Sequence, residues 1–370
     1  MDKTYITKPT LPDINEFMPY LRNIWDTRLL TNNGPYHQKL EKELSEFLGV
    51  PYVSLFANGT LALVVGLKAM DIKGEVITSP FSFVATSHAL VWNNLTPVFA
   101  DIDVNTGNLD PSSVLKAITK NTTAILPVHV YGHPCDHAEL DRIAKSNNLK
   151  IIYDAAHAFG VKQNGISILN YGELSILSFH ATKVFHTFEG GAIISHSPET
   201  KQKIDHLKNF GFRDEVTVVG TGINGKMNEF QAIIGLLNLK YFEKECILRK
   251  ELDTVYRTEL MELPGLHFFN PVPSVEYNYS YFPVLINERY CGISRDSLYL
   301  ILRNNGFMVR RYFYPLISNM SAYKDIPSAT AEHLPVANKV ASEVLCLPMY
   351  SGLCHDAVKK ITGIIKGAVK

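Results

Sequence analysis

Cysteine is sparse in this chain. Cys135, Cys246, Cys291, Cys346 and Cys354 stand singly, with no Cys-x-x-Cys pair among them. That scatter offers neither a disulfide framework nor a zinc site, so no metal is expected, and it suits a reducing, cytoplasmic setting. Long apolar runs are missing too, so no membrane span is expected. The opening stretch, MDKTYITKPTLPDINEF, lacks the apolar centre of a secretory signal. Nor is there an excess of charge of one sign: Lys+Arg and Asp+Glu number 36 each. Net zero removes any whole-chain attraction to nucleic acid or an anionic membrane, while leaving room for a local basic pocket. No low-complexity tract, internal repeat or helix-turn-helix is visible. The missing helix-turn-helix and the zero net charge argue against DNA binding, and the lack of a Gly-x-Gly-x-x-Gly after the first strand argues against a plain dinucleotide-binding enzyme.

What is present is a globular composition, 46% hydrophobic and 19% charged over 370 residues, long enough for two packed domains. Residues 1–35 read as irregular. YHQKLEKELSEFLGV then places Leu40, Leu44, Phe47 and Leu48 at helical spacing. PYVSLFANGTLALVVGLKAM reads as strand, small-residue turn and helix, and EVITSPFSFVATSHALVWNN repeats the design. The short apolar strands TPVFADID, AILPVHV, KIIYDAA, SILSFH and GGAIISH follow, with HAELDRIAKSNN a helix among them. Such alternation predicts an α/β fold: a mostly parallel sheet sandwiched by helices, with ligands beyond the carboxyl ends of its strands. There fall Asn58, Gly59 and Thr60, the segment 81–86, His129, Asp154 and the segment 178–183. Near Phe242 the pattern changes. YFEKECILRKELDTVYRTELMEL reads as a long helix bridging two domains, and LHFFNPVP, YSYFPVLI and GFMVRRYFY as strands of a smaller C-terminal α+β unit. The expected division is 1–242 and 243–370.

The stretch SFHATKVFHTFEGGA raises the chemical question. Lys183 lies among aromatic and small residues, with no acidic neighbour within five positions. Low dielectric disfavours its ammonium and makes a nucleophile of it; the alternative is a lysine whose stem is covered and whose head reaches water. Asp154 ends a strand in YDAAHAFG, where it faces a ligand or caps the next helix. Together the two point to pyridoxal 5'-phosphate (PLP), which needs a lysine for its aldehyde and a carboxylate to keep its pyridine nitrogen protonated. In ANGTLAL, Asn58, Gly59 and Thr60 open a helix whose N–H groups suit a phosphate, although the same residues make an ordinary N-cap. Ser178 adds a hydroxyl. One of Phe81 and Phe83 is expected to stack on the ring and the other to pack in the core. His157 either reaches the ring's phenolic oxygen or is structural.

The ordered set TNNGPYHQKLEKELSEFLGV, ANGTLAL, SPFSFVATSHAL, PVFADID, YDAAHAFG, SFHATKVFHTFEGGAI, GINGKMNEFQAIIG, RRYFYPL and LCLPMYSGL resembles the DegT-type nucleotide-sugar aminotransferases almost end to end. The resemblance implies a fold type I PLP-dependent transferase and assigns roles. Lys183 would be the Schiff-base lysine, Asp154 the pyridinium partner and His157, where many relatives have Gln, the neighbour of the phenolic oxygen. Gly59, Thr60 and Ser178 would bind the phosphate and Phe83 stack on the ring. Asn224 would reach the phosphate across the interface of an obligate homodimer. The family's usual Arg two positions later is Lys226 here, which keeps a charge without a bidentate fork. Lys226, Arg311 and Tyr312 would meet the nucleotide sugar. The implied reaction moves an amino group from L-glutamate to a nucleotide-linked keto-6-deoxy sugar, with dTDP-4-keto-6-deoxy-D-glucose preferred, in deoxyamino-sugar and O-antigen biosynthesis. Alternatives are amination of a 3-keto sugar, or a PLP-binding sensor without turnover. Relatives that remove a sugar hydroxyl carry histidine in place of the lysine, and Lys183 speaks against that chemistry.

Overall fold

The computed structural model describes residues 3–369. A short strand, β1 (Thr4–Tyr5), is followed by α1 (Ile14–Thr27) and α2 (Pro35–Leu48). The region read as irregular therefore holds a helix. Asp13 caps it, accepting from the Asn15 N–H at 2.8 Å, and Phe17, Tyr20 and Ile24 form its inner face. The Pro and Asn content masked this spacing, because Pro19 sits inside the helix.

Next come β2 (Tyr52–Phe56), α3 (Gly59–Ala69), β3 (Glu75–Thr78), α4 (Ala85–Trp92), β4 (Thr96–Phe99), α5 (Pro111–Ala117), β5 (Thr122–Leu126), α6 (His137–Asn147) and β6 (Lys150–Asp154). After the two-residue strands β7 (Lys162–Gln163) and β8 (Ile166–Ser167) come β9 (Leu174–Ser178), β10 (Gly191–Ser195) and α7 (Pro198–Leu207). Seven strands form one sheet in the order β2-β10-β9-β6-β5-β3-β4, and only β10 runs antiparallel to its neighbours. Both faces are covered, so strands such as β5 and β9 are buried at four of their five residues. Leu40, Leu44 and Leu48 of α2 pack on one side with Leu55, Leu177 and Phe179. Ala62, Val65 and Leu90 pack on the other side with Val76, Leu126 and Ile176.

The long helix α8 spans Glu229–Leu260, beginning 13 residues before the expected change at Phe242. Its start is fixed by a reciprocal cap, with Asn228 accepting from the Gln231 N–H and the Gln231 side chain accepting from the Asn228 N–H. Its first three turns are buried with α1 and α2, so they carry no amphipathic signature, whereas the second half packs on the smaller unit. That unit has the antiparallel sheet β11 (Leu266–Phe268), β13 (Phe282–Ile286) and β15 (Val344–Leu347), covered by α9 (Glu288–Cys291), α10 (Arg295–Asn304), α11 (Pro335–Glu343) and α12 (His355–Ala368). Two strand pairings are among the contacts that join it to the rest. β12 (Val275–Glu276) pairs with β7, and β14 (Phe307–Met308) pairs in parallel with β1. The expected strand GFMVRRYFY is paired only at β14 and through an Arg310–Cys346 bridge. Beyond that bridge the chain turns toward a cavity between the two units, where Tyr312 and Phe313 join the wall.

Candidate active site

At the carboxyl ends of β2, β6 and β9 lies this cavity, of about 290 Å³. The large sheet supplies Gly59, Thr60, Phe83, Asp154, His157, Ser178 and Lys183 to its wall, and the smaller unit supplies Tyr281, Tyr312 and Phe313.

The start of α3 forms one end. The Asn58 side chain accepts the Leu61 N–H at 2.9 Å, while among the described residues the N–H groups of Gly59 and Thr60 have no protein acceptor. The backbone here is tightly approached. A Cβ on Gly59 would lie 3.0 Å from Ser178 Cβ, and one on Gly191 would lie 2.7 Å from the Asn58 carbonyl carbon and the Gly59 nitrogen. The glycines let the strand ends close under the helix start, leaving its N–H groups facing the cavity.

Asp154 is 4% exposed. It accepts the Thr86 hydroxyl at 2.7 Å and the Ala156 N–H at 3.2 Å, and no cation lies within ion-pair distance among the described residues. Burial pushes its carboxyl up, against the pull of Thr86, Ala156 and the Lys183 charge. Lys183 is half-buried, and burial lowers its amine to about 8, opposed by the Asp154 charge. The next two residues anchor the lysine: Val184 and Phe185 enter the core, where Phe185 stacks on Phe159 at 4.2 Å.

His157 accepts the Tyr131 N–H on Nδ1 at 3.2 Å. A backbone N–H can only donate, so Nδ1 is bare and the neutral ring carries its proton on Nε2. Burial holds the ring well below the usual histidine range. Phe313 lies parallel to it at 6.0 Å and Tyr281 meets it edge-on at 5.0 Å.

The two phenylalanines of FSFVAT part company. Phe81 is fully buried against Tyr131 and Phe313, whereas Phe83 is 63% exposed and lines the cavity.

Other sequence candidates lie elsewhere. Asn224 bridges to Asn209. The Lys226 ammonium bonds Asn209 Oδ1 at 2.7 Å over the Phe210 ring and lines a separate cavity with His37 and Lys208. Arg311 pairs with Asp296 at 2.8 Å between Tyr299 and Tyr314, outside the cavity wall. His129 is buried against Tyr153 at 4.7 Å. Sequence reasoning gave no individual role to Thr86, His180, Glu189 or Tyr281, all in the cavity wall, whereas Phe313, expected with its neighbours to meet the diphosphate and sugar, does line it. Thr86 had a local signal, a hydroxyl in the first turn after a strand end; Tyr281 had none, since it comes from the other unit.

A buried carboxylate without a cation, unpaired N–H groups at a helix start, an exposed aromatic face and an amine of lowered basicity make a donor set that fits PLP: cationic ring nitrogen, phosphate, ring face and aldehyde in turn. A sequence profile of the DegT/DnrJ/EryC1/StrS aminotransferase family matches residues 12–366. The chain belongs to that family.

This aminotransferase is PLP-dependent, as its family is. It is 50% identical over 370 residues to a dTDP-4-amino-4,6-dideoxy-D-glucose transaminase from Escherichia coli, with 99% of each chain covered. A crystal structure of DesI in the presence of its TDP-sugar product superposes with a TM-score of 0.94 at 33% identity, covering 99% of this chain and 93% of that one. NtdA from Bacillus subtilis with bound PMP gives 0.87 at 28% identity, covering 96% and 81%. The α/β architecture, with its mostly parallel sheet and helices on both faces, is the one expected from the sequence.

Proposed function

We propose that this aminotransferase carries the amino group of L-glutamate to the 4-keto carbon of dTDP-4-keto-6-deoxy-D-glucose, forming dTDP-4-amino-4,6-dideoxy-D-glucose. The observation that carries the chemistry is Lys183, whose amine, lowered to about 8, shares one cavity with buried Asp154. The choice of sugar rests on the full-length likeness to the E. coli transaminase.

In this reading Gly59 and Thr60 N–H groups and the Ser178 hydroxyl hold the phosphate, and Phe83 covers one ring face. Asp154 keeps a proton on the ring nitrogen, and His157 donates from Nε2 to the ring oxygen. Bound PLP supplies the electron sink for charge developing on the carbon next to nitrogen. Lys183 Nζ takes the proton from the donor's α-carbon and delivers one to the sugar carbon being aminated, work suited to an amine of near-neutral basicity. Tyr281 and Phe313 wall the site against water. Tyr312 and, from the rim, Arg311 meet the nucleotide sugar. Asn224 and Lys226 serve the site of a second copy in a homodimer. The exposed apolar residues Phe210, Val216, Val218 and Val219 support that assembly. A cytoplasmic place in surface-polysaccharide biosynthesis completes the proposal.

The test is to incubate the holoenzyme with L-glutamate and dTDP-4-keto-6-deoxy-D-glucose and to assign the product by NMR. Nitrogen on C4 is expected. Nitrogen on C3, a deoxygenated product without nitrogen, or a protein inert with every donor would each overturn the reading.

A further inference from the structure

Three side chains form a buried line in the cavity wall. Ser82 Oγ lies 2.8 Å from Thr86 Oγ1, and Thr86 Oγ1 lies 2.7 Å from Asp154 Oδ2. Ser82 and Thr86 are 4% and 1% exposed. A carboxylate can only accept, so the single Thr86 proton goes to Asp154, and the freed lone pair of Thr86 accepts the proton of Ser82. The hydroxyls thus point one way, each strengthening the next. The main chain of Asp154 is fixed separately, its N–H donating to Pro127 and its C=O accepting from His129. Among the described residues its side chain is aimed only by Thr86 and the Ala156 N–H.

We propose that Thr86, braced by Ser82, is a positioning residue that holds Asp154 ionised and turned toward the cofactor. This rests on the reading of Asp154 as partner of the ring nitrogen. Neither hydroxyl is placed on the reacting atoms; both act through the carboxylate. The segment 81–86 then serves the ring twice, by a face contact from Phe83 and through Asp154 from Thr86.

The test is a double-mutant cycle on PLP affinity, read by absorbance titration of the apoprotein, with its thermal midpoint followed by circular dichroism. Thr86→Val keeps the volume and removes the donor, and is expected to raise the PLP Kd about tenfold or more. Thr86→Ser should stay within about threefold of the parent, and Ser82→Ala should show a smaller loss of the same sign. In an Asp154→Asn background, Thr86→Val should change the Kd by less than about threefold, because no charge remains to hold. An equal loss in both backgrounds, or none in the parent, overturns the proposal. If Asp154→Asn alone leaves affinity and turnover intact, the reading of Asp154 falls and this proposal with it. Should Thr86→Val not fold, Thr86→Cys, a weak donor of similar size, carries the same cycle.

Discussion

Lys183 shows how much one side chain's surroundings decide. A free lysine loses half its charge only near pH 10.5, but burial brings this amine to about 8. Its reactive neutral fraction in the apoprotein should then rise about tenfold between pH 7 and pH 9. The initial rate of PLP capture by apoprotein, followed in the visible, should rise by that factor. A rise of about a hundredfold over the same interval would mean that the amine is not lowered. Lys183→Ala should lose both covalent capture and transamination. Phe81 and Phe83 make a second contrast at this scale. Phe81→Ala should cost about 3–5 kcal/mol of stability through the cavity it leaves, measured by denaturant unfolding. Phe83→Ala should leave apoprotein stability nearly unchanged and weaken PLP retention. Two phenylalanines two positions apart look alike in the sequence; only the turn entering α4 decides which meets the core. Lys183 and Asp154 were legible because their chemistry is rare in apolar company. Thr86 was not, since a hydroxyl near a helix start has many ordinary uses.

Among elements, the turn joining β9 to β10 is the most constrained. It carries Lys183 and ends in Gly190, and Gly191 opens β10. A Cβ on Gly190 would fall 2.0 Å from Thr187 Oγ1, and one on Gly191 would press on the backbone at Asn58. Gly191→Ala should therefore displace the start of α3 and lower PLP affinity, whereas an alanine at Gly363, with nothing near it, should be silent in the same titration. The strand–turn–helix units of the large sheet were legible from their alternation. The first half of α8 was not, because a helix buried all round shows no periodic face. Strand β14 was overread: Val309 through Tyr314 have strand-like side chains, but beyond the Arg310 bridge to Cys346 they lack a ladder partner.

For the molecule as a whole, buried histidines set the acid limit. Burial lowers His37, His133 and His137 to about 4, and holds His129 and His157 well below the usual range. The unfolded chain takes up protons at these rings below about pH 6.5 while the folded one does not. Stability present above that pH is therefore lost as pH falls from about 6.5 toward 4. Thermal midpoints of the apoprotein should decline steadily through that window, and a constant midpoint would contradict the burial of these rings. Their depth could not be read from the sequence, where each histidine is only a polar letter. The pairing of β1 with β14 also imposes an order of events on synthesis. Thr4 meets Phe307 only after some three hundred further residues have left the ribosome, on the order of 15–60 s of translation. The opening segment must stay unpaired through that interval, open to chaperones and proteases, so closure of the smaller unit is a late event in the protein's biogenesis.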